Sequence, residues 1–108
     1  MSTPLKIFNL PFQCVKLIEA DFSDVAAIYV ILCVETAEKW SVLDVGESGQ
    51  VGSRINDHDR SDCWSKNCPN KNIWVCIYKT STAQYTSQQR RDLENKIRSH
   101  YKPTCGDR

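Results

Sequence analysis

Apolar and polar positions alternate along the chain in a way that separates strands from helices. Ala26–Val34 (AAIYVILCV) is nearly unbroken in β-branched, aliphatic and aromatic residues, the pattern of a buried strand. Trp40–Val45 (WSVLDV) reads as a second strand, and the polar stretch Glu35–Lys39 joins the two as an antiparallel hairpin with a long turn. Gly46-Glu-Ser-Gly49 breaks the pattern. Ser48 or Ser53 then offers a cap for a helix over about Val51–Asp59, with Val51 and Ile55 on one face. Residues 60–71 (RSDCWSKNCPNK) are polar and turn-forming and read as a loop. Asn72–Tyr78 (NIWVCIY) is a third strand. Ile73, Val75 and Ile77 lie on one face, and Trp74, Cys76 and Tyr78 on the other.

Thr86 or Ser87 caps a final helix running to about Tyr101. Thr86-x-x-Gln89 fits a capping box, and Leu93, Ile97 and Tyr101 form an apolar stripe at i, i+4, i+8. Pro103 ends it. Residues 1–25 are irregular, with breaks at Pro4 and Pro11; Phe12–Ile18 reads as a short strand or a helical turn, and the role of this extension is open. The order β-β-α-β-α predicts a small layered α+β domain, a three-stranded antiparallel sheet flanked by helices.

At 108 residues, 41% apolar and 25% charged, the chain has the size and composition of one globular domain. It needs neither metal nor disulfide merely to fold. Its longest apolar run, Val25–Val34, is too short to cross a bilayer as a helix. Met1–Leu10 is mixed, with Lys6 inside it, and lacks the charged-then-apolar order of an export signal. The six cysteines, at 14, 33, 63, 68, 76 and 105, are therefore expected to be reduced thiols of a cytoplasmic protein. Cys33 and Cys76 fall inside strand-like runs, where a thiol serves as a small core residue. His58, Cys63 and Cys68, with Cys105 returning nearby, are a candidate zinc set and would make a zinc-stabilised interaction module. The set lacks the tight Cys-x-x-Cys knuckle, and loop cysteines without a ligand fit better.

The net charge of +1 hides an asymmetry. Residues 1–49 carry three lysines against seven acidic groups, and residues 50–108 carry eleven basic against six acidic. A basic second half can present a phosphate-attracting surface. Arg54 and His58 lie four apart on the expected first helix; a guanidinium fork beside an imidazole suits phosphate binding and proton transfer. Tyr29 shares a strand face with Ala27, Ile31 and Cys33, as a core aromatic or as a phenol at the edge of a site. Glu94 borders the apolar stripe of the last helix. Arg90 and Arg98 flank it at i−4 and i+4, a surface ion-pair ladder worth about 0.2–0.5 kcal/mol per pair. Alternatively, Glu94 is an oxygen ligand for Mg²⁺.

Taken together, Ala27-Ile28-Tyr29, Asp44-Val45-Gly46 at the end of the next strand, Arg54-x-x-x-His58, and Arg90-Arg-Asp-Leu-Glu94 followed by Pro103 resemble the GIY-YIG nuclease family. The resemblance covers about residues 26–105, and it assigns residues 26–108 to a GIY-YIG-like domain behind the 1–25 extension. It implies a metal-dependent DNA endonuclease that hydrolyses phosphodiesters with one Mg²⁺ or Mn²⁺ per site. Tyr29 would act on the attacking water, and Arg54 would stabilise the pentacovalent phosphate. His58 would assist proton transfer or hold the phosphate, and Glu94 would hold the metal. Arg54, His58, Arg90 and Lys96 would bind the DNA, with a protein partner or a homodimer supplying specificity. The chain departs from the family pattern at Ala27 in place of glycine and Asp44 in place of tyrosine, and the late asparagine has no counterpart in Pro103–Arg108. The role of Asp44 stays open, and the alternative is a degenerate member that binds nucleic acid or protein without cleavage.

Overall fold

The computed structural model describes residues 2–56 and 58–106. Its centre is a five-stranded antiparallel sheet in the order β1-β2-β5-β3-β4. The strands are β1 (Thr3–Ile7), β2 (Leu10–Lys16), β3 (Ala27–Thr36), β4 (Lys39–Ser48) and β5 (Ile73–Lys79). The helices are α1 (Val51–Asn56), α2 (Ser61–Lys66) and α3 (Ser87–Tyr101). Five strands replace the expected three, because residues 3–16 form a hairpin that adds to the free edge of β5. The two prolines that mask this hairpin sit where no ladder bond is lost. Pro4 lies on the outermost strand, and Pro11 pairs only with Lys6 of β1, since the β2–β5 register covers Gln13–Lys16. The turn between them holds Phe8 and Asn9 at φ 54° and 62°. Phe8 pays for that left-handed backbone through an outside bond, its N–H donating to the Tyr101 hydroxyl at 2.8 Å.

The sheet is covered on both faces, as the alternation of β5 requires. Tyr29, Ile31, Val51, Ile55, Trp64, Val75 and Cys105 form one core beneath α1 and α2. Ile28, Val30, Val45, Cys76 and Ile97 form the other, with Leu93 and Tyr101 of α3 packed against it. The expected loop at 60–71 contains α2, whose Trp64 is driven into the first core. The chain from Leu17 to Val25 straps over α1. Asp24 accepts hydrogen bonds from the backbone N–H and hydroxyl of Ser53, and the Val51 N–H donates to Val25. This strap takes the capping role expected of Ser48 or Ser53. Thr86 caps α3 through the full capping box.

The expectation of reduced thiols is overturned. All six cysteines pair: Cys14 with Cys76, Cys33 with Cys68, and Cys63 with Cys105. Cys14 and Cys76 face each other across β2 and β5. Cys63 on α2 ties the segment following α3 to the body of the domain. The zinc reading fails for the same reason, since three of its four ligands are spent in disulfides.

Candidate functional site

Three of the residues singled out in the sequence converge beneath α1. Tyr29 stands on β3 directly opposite Gly46 of β4. Its ring lies across that glycine so closely that a Cβ there would come within 2.2 Å of the hydroxyl. The small residue at 46 is therefore what admits the tyrosine. The Tyr29 hydroxyl meets His58 Nε2 at 2.6 Å, and the Arg54 charge lies near enough to oppose the rise in its pKa. His58 does not share a helix with Arg54: α1 ends at Asn56, and His58 follows it in the connection to α2, while Asp57 between them lies outside the described residues.

The protonation of this group follows from its surroundings. Burial first, then the nearby Arg54 and Arg60 charges, pull His58 down to about 4, so the ring is neutral at pH 7. Its Nδ1 accepts the Arg60 backbone N–H at 3.1 Å. The single ring proton therefore sits on Nε2 and is donated to Tyr29. Burial raises the Tyr29 pKa above that of an ordinary phenol, with Arg54 opposing the shift. In this state His58 positions the phenol and takes no proton from it. Tyr29 is 1% and His58 6% exposed, whereas the Arg54 side chain is 38% exposed. A surface cavity of about 340 Å³ opens beside this group, lined by Leu17, Asn56, His58, Ser61 and Trp64 among others.

Asp44, whose role the sequence left open, is the centre of a second and larger cluster. A register shift in the β3–β4 ladder makes Leu43 an extra residue, so that Asp44 lies opposite Ile31 on the Tyr29 face. Its Oδ1 accepts from the Val45 N–H and from Arg98 Nη2, each at 2.8 Å. Its Oδ2 accepts from Arg60 Nε and Trp64 Nε1, again at 2.8 Å. Every acceptor position of a carboxylate is thereby filled. Arg98 also donates to the Val45 carbonyl and to the carbonyls of Cys105 and Gly106. Gly106 (φ 78°) rests on the cluster: a Cβ there would come within 2.7 Å of Asp44 and 2.9 Å of both arginines.

Glu94 comes to the sheet on α3. It is fully buried on α3, whose apolar stripe packs on the opposite face of the sheet. One of its contacts is Arg98, 3.6 Å away, which also binds Asp44. The expected surface ladder is a buried one, and Arg90 leaves it to pair with Glu47 of β4 at 2.8 Å. Lys96 lies on the exposed side of α3. The residues present do not fit a Mg²⁺ or Mn²⁺ centre. Glu94 faces a guanidinium, Asp44 has no free lone pair, and the described residues hold no cluster of three acidic, histidine or cysteine ligands. The sequence reading missed Arg60, Trp64 and Arg98. The available signal was an aspartate inside an apolar strand, which must find buried donors. Comparison with protein-family models, curated proteins and solved structures yields no match. The likeness to the GIY-YIG family thus rests on the residues quoted above.

Proposed function

We propose that the chain is a degenerate GIY-YIG-like domain that binds a nucleic-acid backbone without hydrolysing it. The observation that carries this reading is the bonding of Asp44. At the position where the family has a tyrosine, a buried carboxylate takes up Arg60 and Arg98, so neither is available as a charge clamp on a reacting phosphate. Attraction to the polyanion comes from the basic second half, with Arg54, Arg91, Lys96 and Lys102 accessible to solvent. The three disulfides support an oxidising compartment over the cytoplasm. No described helix is long and apolar enough to cross a membrane. Purified protein is expected to bind a labelled duplex with an affinity that falls as salt rises. Glu94→Gln is expected to leave that affinity unchanged, and plasmid is expected to stay intact with Mg²⁺ or Mn²⁺. Absence of duplex binding at low salt overturns the proposal.

The convergence of Tyr29, Arg54 and His58 favours a second reading, the metal-dependent endonuclease. Metal-dependent nicking that is lost in both Arg54→Ala and Glu94→Ala would establish it in place of the first.

A further inference from the structure

We propose that the groove between the β1–β2 turn and the C-terminal half of α3 holds an unpaired nucleotide of a single-stranded nucleic acid. The groove lies on the sheet face opposite the Tyr29 group. It is lined by Phe8, Asn95, Lys96, Ser99 and His100, with a volume of about 500 Å³, within the range of small-ligand sites. Leu93, Ile97 and Tyr101 turn inward from α3, and the four α3 residues of the groove are exposed.

A nucleotide is a flat ring with donors and acceptors on its edge and an anionic phosphate beside it. The groove answers each part. Phe8 and His100 bring rings on which a base can stack. The Asn95 amide and the Ser99 hydroxyl each both donate and accept. Lys96 supplies the charge for the phosphate. The Phe8 ring is already fixed in place. Its backbone is held at φ 54°, unfavourable for a bulky residue, by the bond from its N–H to the Tyr101 hydroxyl at 2.8 Å. The ring meets His100 edge to face at 5.4 Å and is only partly buried. Stacking on it therefore costs little side-chain freedom. Charge complementarity selects an anion. The exposed residues from Arg91 to Lys102 set Arg91, Lys96 and Lys102 against Asp92, and Asp92 already accepts from the Gln88 amide at 2.8 Å. Lys96 stands more than one turn before the helix end, so a phosphate on it lies clear of the negative C-terminal carbonyls. A duplex hides its base faces within the stack, so ring stacking selects a single strand. The choice of a nucleic acid as occupant rests on the proposed function; the demand for an unpaired base comes from the lining.

The test uses the full disulfide-bonded chain and fluorescence anisotropy of a labelled oligothymidylate, alone and paired with its complement. The strand is expected to bind about tenfold tighter than the duplex, and Phe8→Leu to lose about tenfold. Lys96→Gln should lower the salt slope by about 0.7. Ser99→Glu places a carboxylate in the groove from an exposed position and should also lose about tenfold; it serves as the second variant if Phe8→Leu fails to fold. Lys16→Gln removes an exposed charge at the far end of β2 and should change affinity by less than about twofold. With iodouracil in the strand, photocrosslinks should map to Phe8 or His100. Unchanged strand affinity in both Phe8→Leu and Ser99→Glu overturns the groove, as do crosslinks that map elsewhere. A duplex bound at least as tightly as the strand overturns the groove and leaves the proposed function standing. Thymidine monophosphate bound as tightly as the strand overturns the strand as occupant. Binding of neither strand nor duplex overturns both proposals.

Discussion

Replacing Asp44 by asparagine keeps the shape of the side chain and removes its charge. One amide oxygen can still accept from Val45 and Arg98. The amide NH₂ would then face Arg60 Nε and the Trp64 indole N–H, two donors that now meet a third. Three bonds to side chains are weakened or lost, each worth about 1.5–3 kcal/mol where a charge is involved. Part of this is recovered, because the Arg60 side chain is 27% exposed and can turn to water. Arg98 cannot do so: it stays buried between β4 and the Cys105–Gly106 carbonyls. The expected net loss is about 3–5 kcal/mol, the usual penalty for stripping one partner from a buried ionic group. Against a total of about 5–15 kcal/mol for such a domain, that is a severe destabilisation.

Urea unfolding followed by far-ultraviolet circular dichroism measures this without depending on Trp64 itself. With a slope near 1–1.5 kcal/mol per molar urea, the midpoint should fall by about 2 M or more. Arg60→Gln alone should cost only about 1 kcal/mol, since that side chain is 27% exposed and can turn to water. In the double variant the Asp44→Asn penalty should shrink, giving a coupling of about 1 kcal/mol or more. A midpoint shift under about 0.5 M for Asp44→Asn, or additive single effects, would refute the argument that Asp44 is the electrostatic hub of the fold.

Four further outcomes are expected. Because His58 titrates at about 4 in the folded chain against 6.5 when unfolded, the unfolded chain takes up the proton first as pH falls. Its contribution, at most about 3 kcal/mol, is present in full above pH 6.5 and is lost between 6.5 and about 4; urea midpoints at pH 7.5 and 5 should diverge in the parent and less so in His58→Gln. Gly46→Ala forces a Cβ into the Tyr29 ring and should cost about 2 kcal/mol or more by thermal unfolding, with Tyr29→Leu in the same background returning part of it. Tyr101→Phe removes the acceptor of the Phe8 N–H and should cost about 1 kcal/mol, read as faster exchange of the Phe8 amide. Alkylation of the denatured, unreduced chain should label no cysteine, and after full reduction six.

The strands β3 and β5 and the helix α3 were legible because their periodicity is strong and their packing agrees with it. The faces assigned to Tyr29, to the alternating β5 positions and to Leu93, Ile97 and Tyr101 are those observed. The β1–β2 hairpin was not legible, since Pro4 and Pro11 argue against strand until the edge position and the partial register are known. Nor was α2, a six-residue helix held by Trp64 burial and a disulfide more than by helical propensity. The site was half legible. Spacing brought Arg54 and His58 into one group with Tyr29, although His58 arrives there from beyond the helix end. The bulge at Leu43 could not be read from WSVLDV, where strict alternation puts Asp44 on the same face as Val42; the structure puts them on opposite faces. With that one-residue slip, Asp44 turns to the face covered by α2 and meets Trp64 there, while Arg98 of α3 still reaches it.

The consequence of that slip reaches further than the strand. A tyrosine at position 44 would offer a hydroxyl and a ring face, and would leave Arg60 without its buried partner and Arg98 with Glu94. The carboxylate instead draws Arg60, at the N-cap of α2, and Arg98 of α3 onto the same edge of the sheet. It thereby fastens both helical layers to β4, and it supplies the surface on which Gly106 rests. An arginine committed to a buried aspartate gains stability for the fold at the expense of its freedom to follow charge developing on a substrate. Arg54 has no such commitment among the described residues: it meets the exposed Asp59 at 3.7 Å, and its charge lies near the Tyr29 phenol. On the proposed reading, Arg54 is the guanidinium kept for contact with an anion, while Arg60 and Arg98 hold the domain together. That division is the physical reason to expect binding to outlast catalysis here.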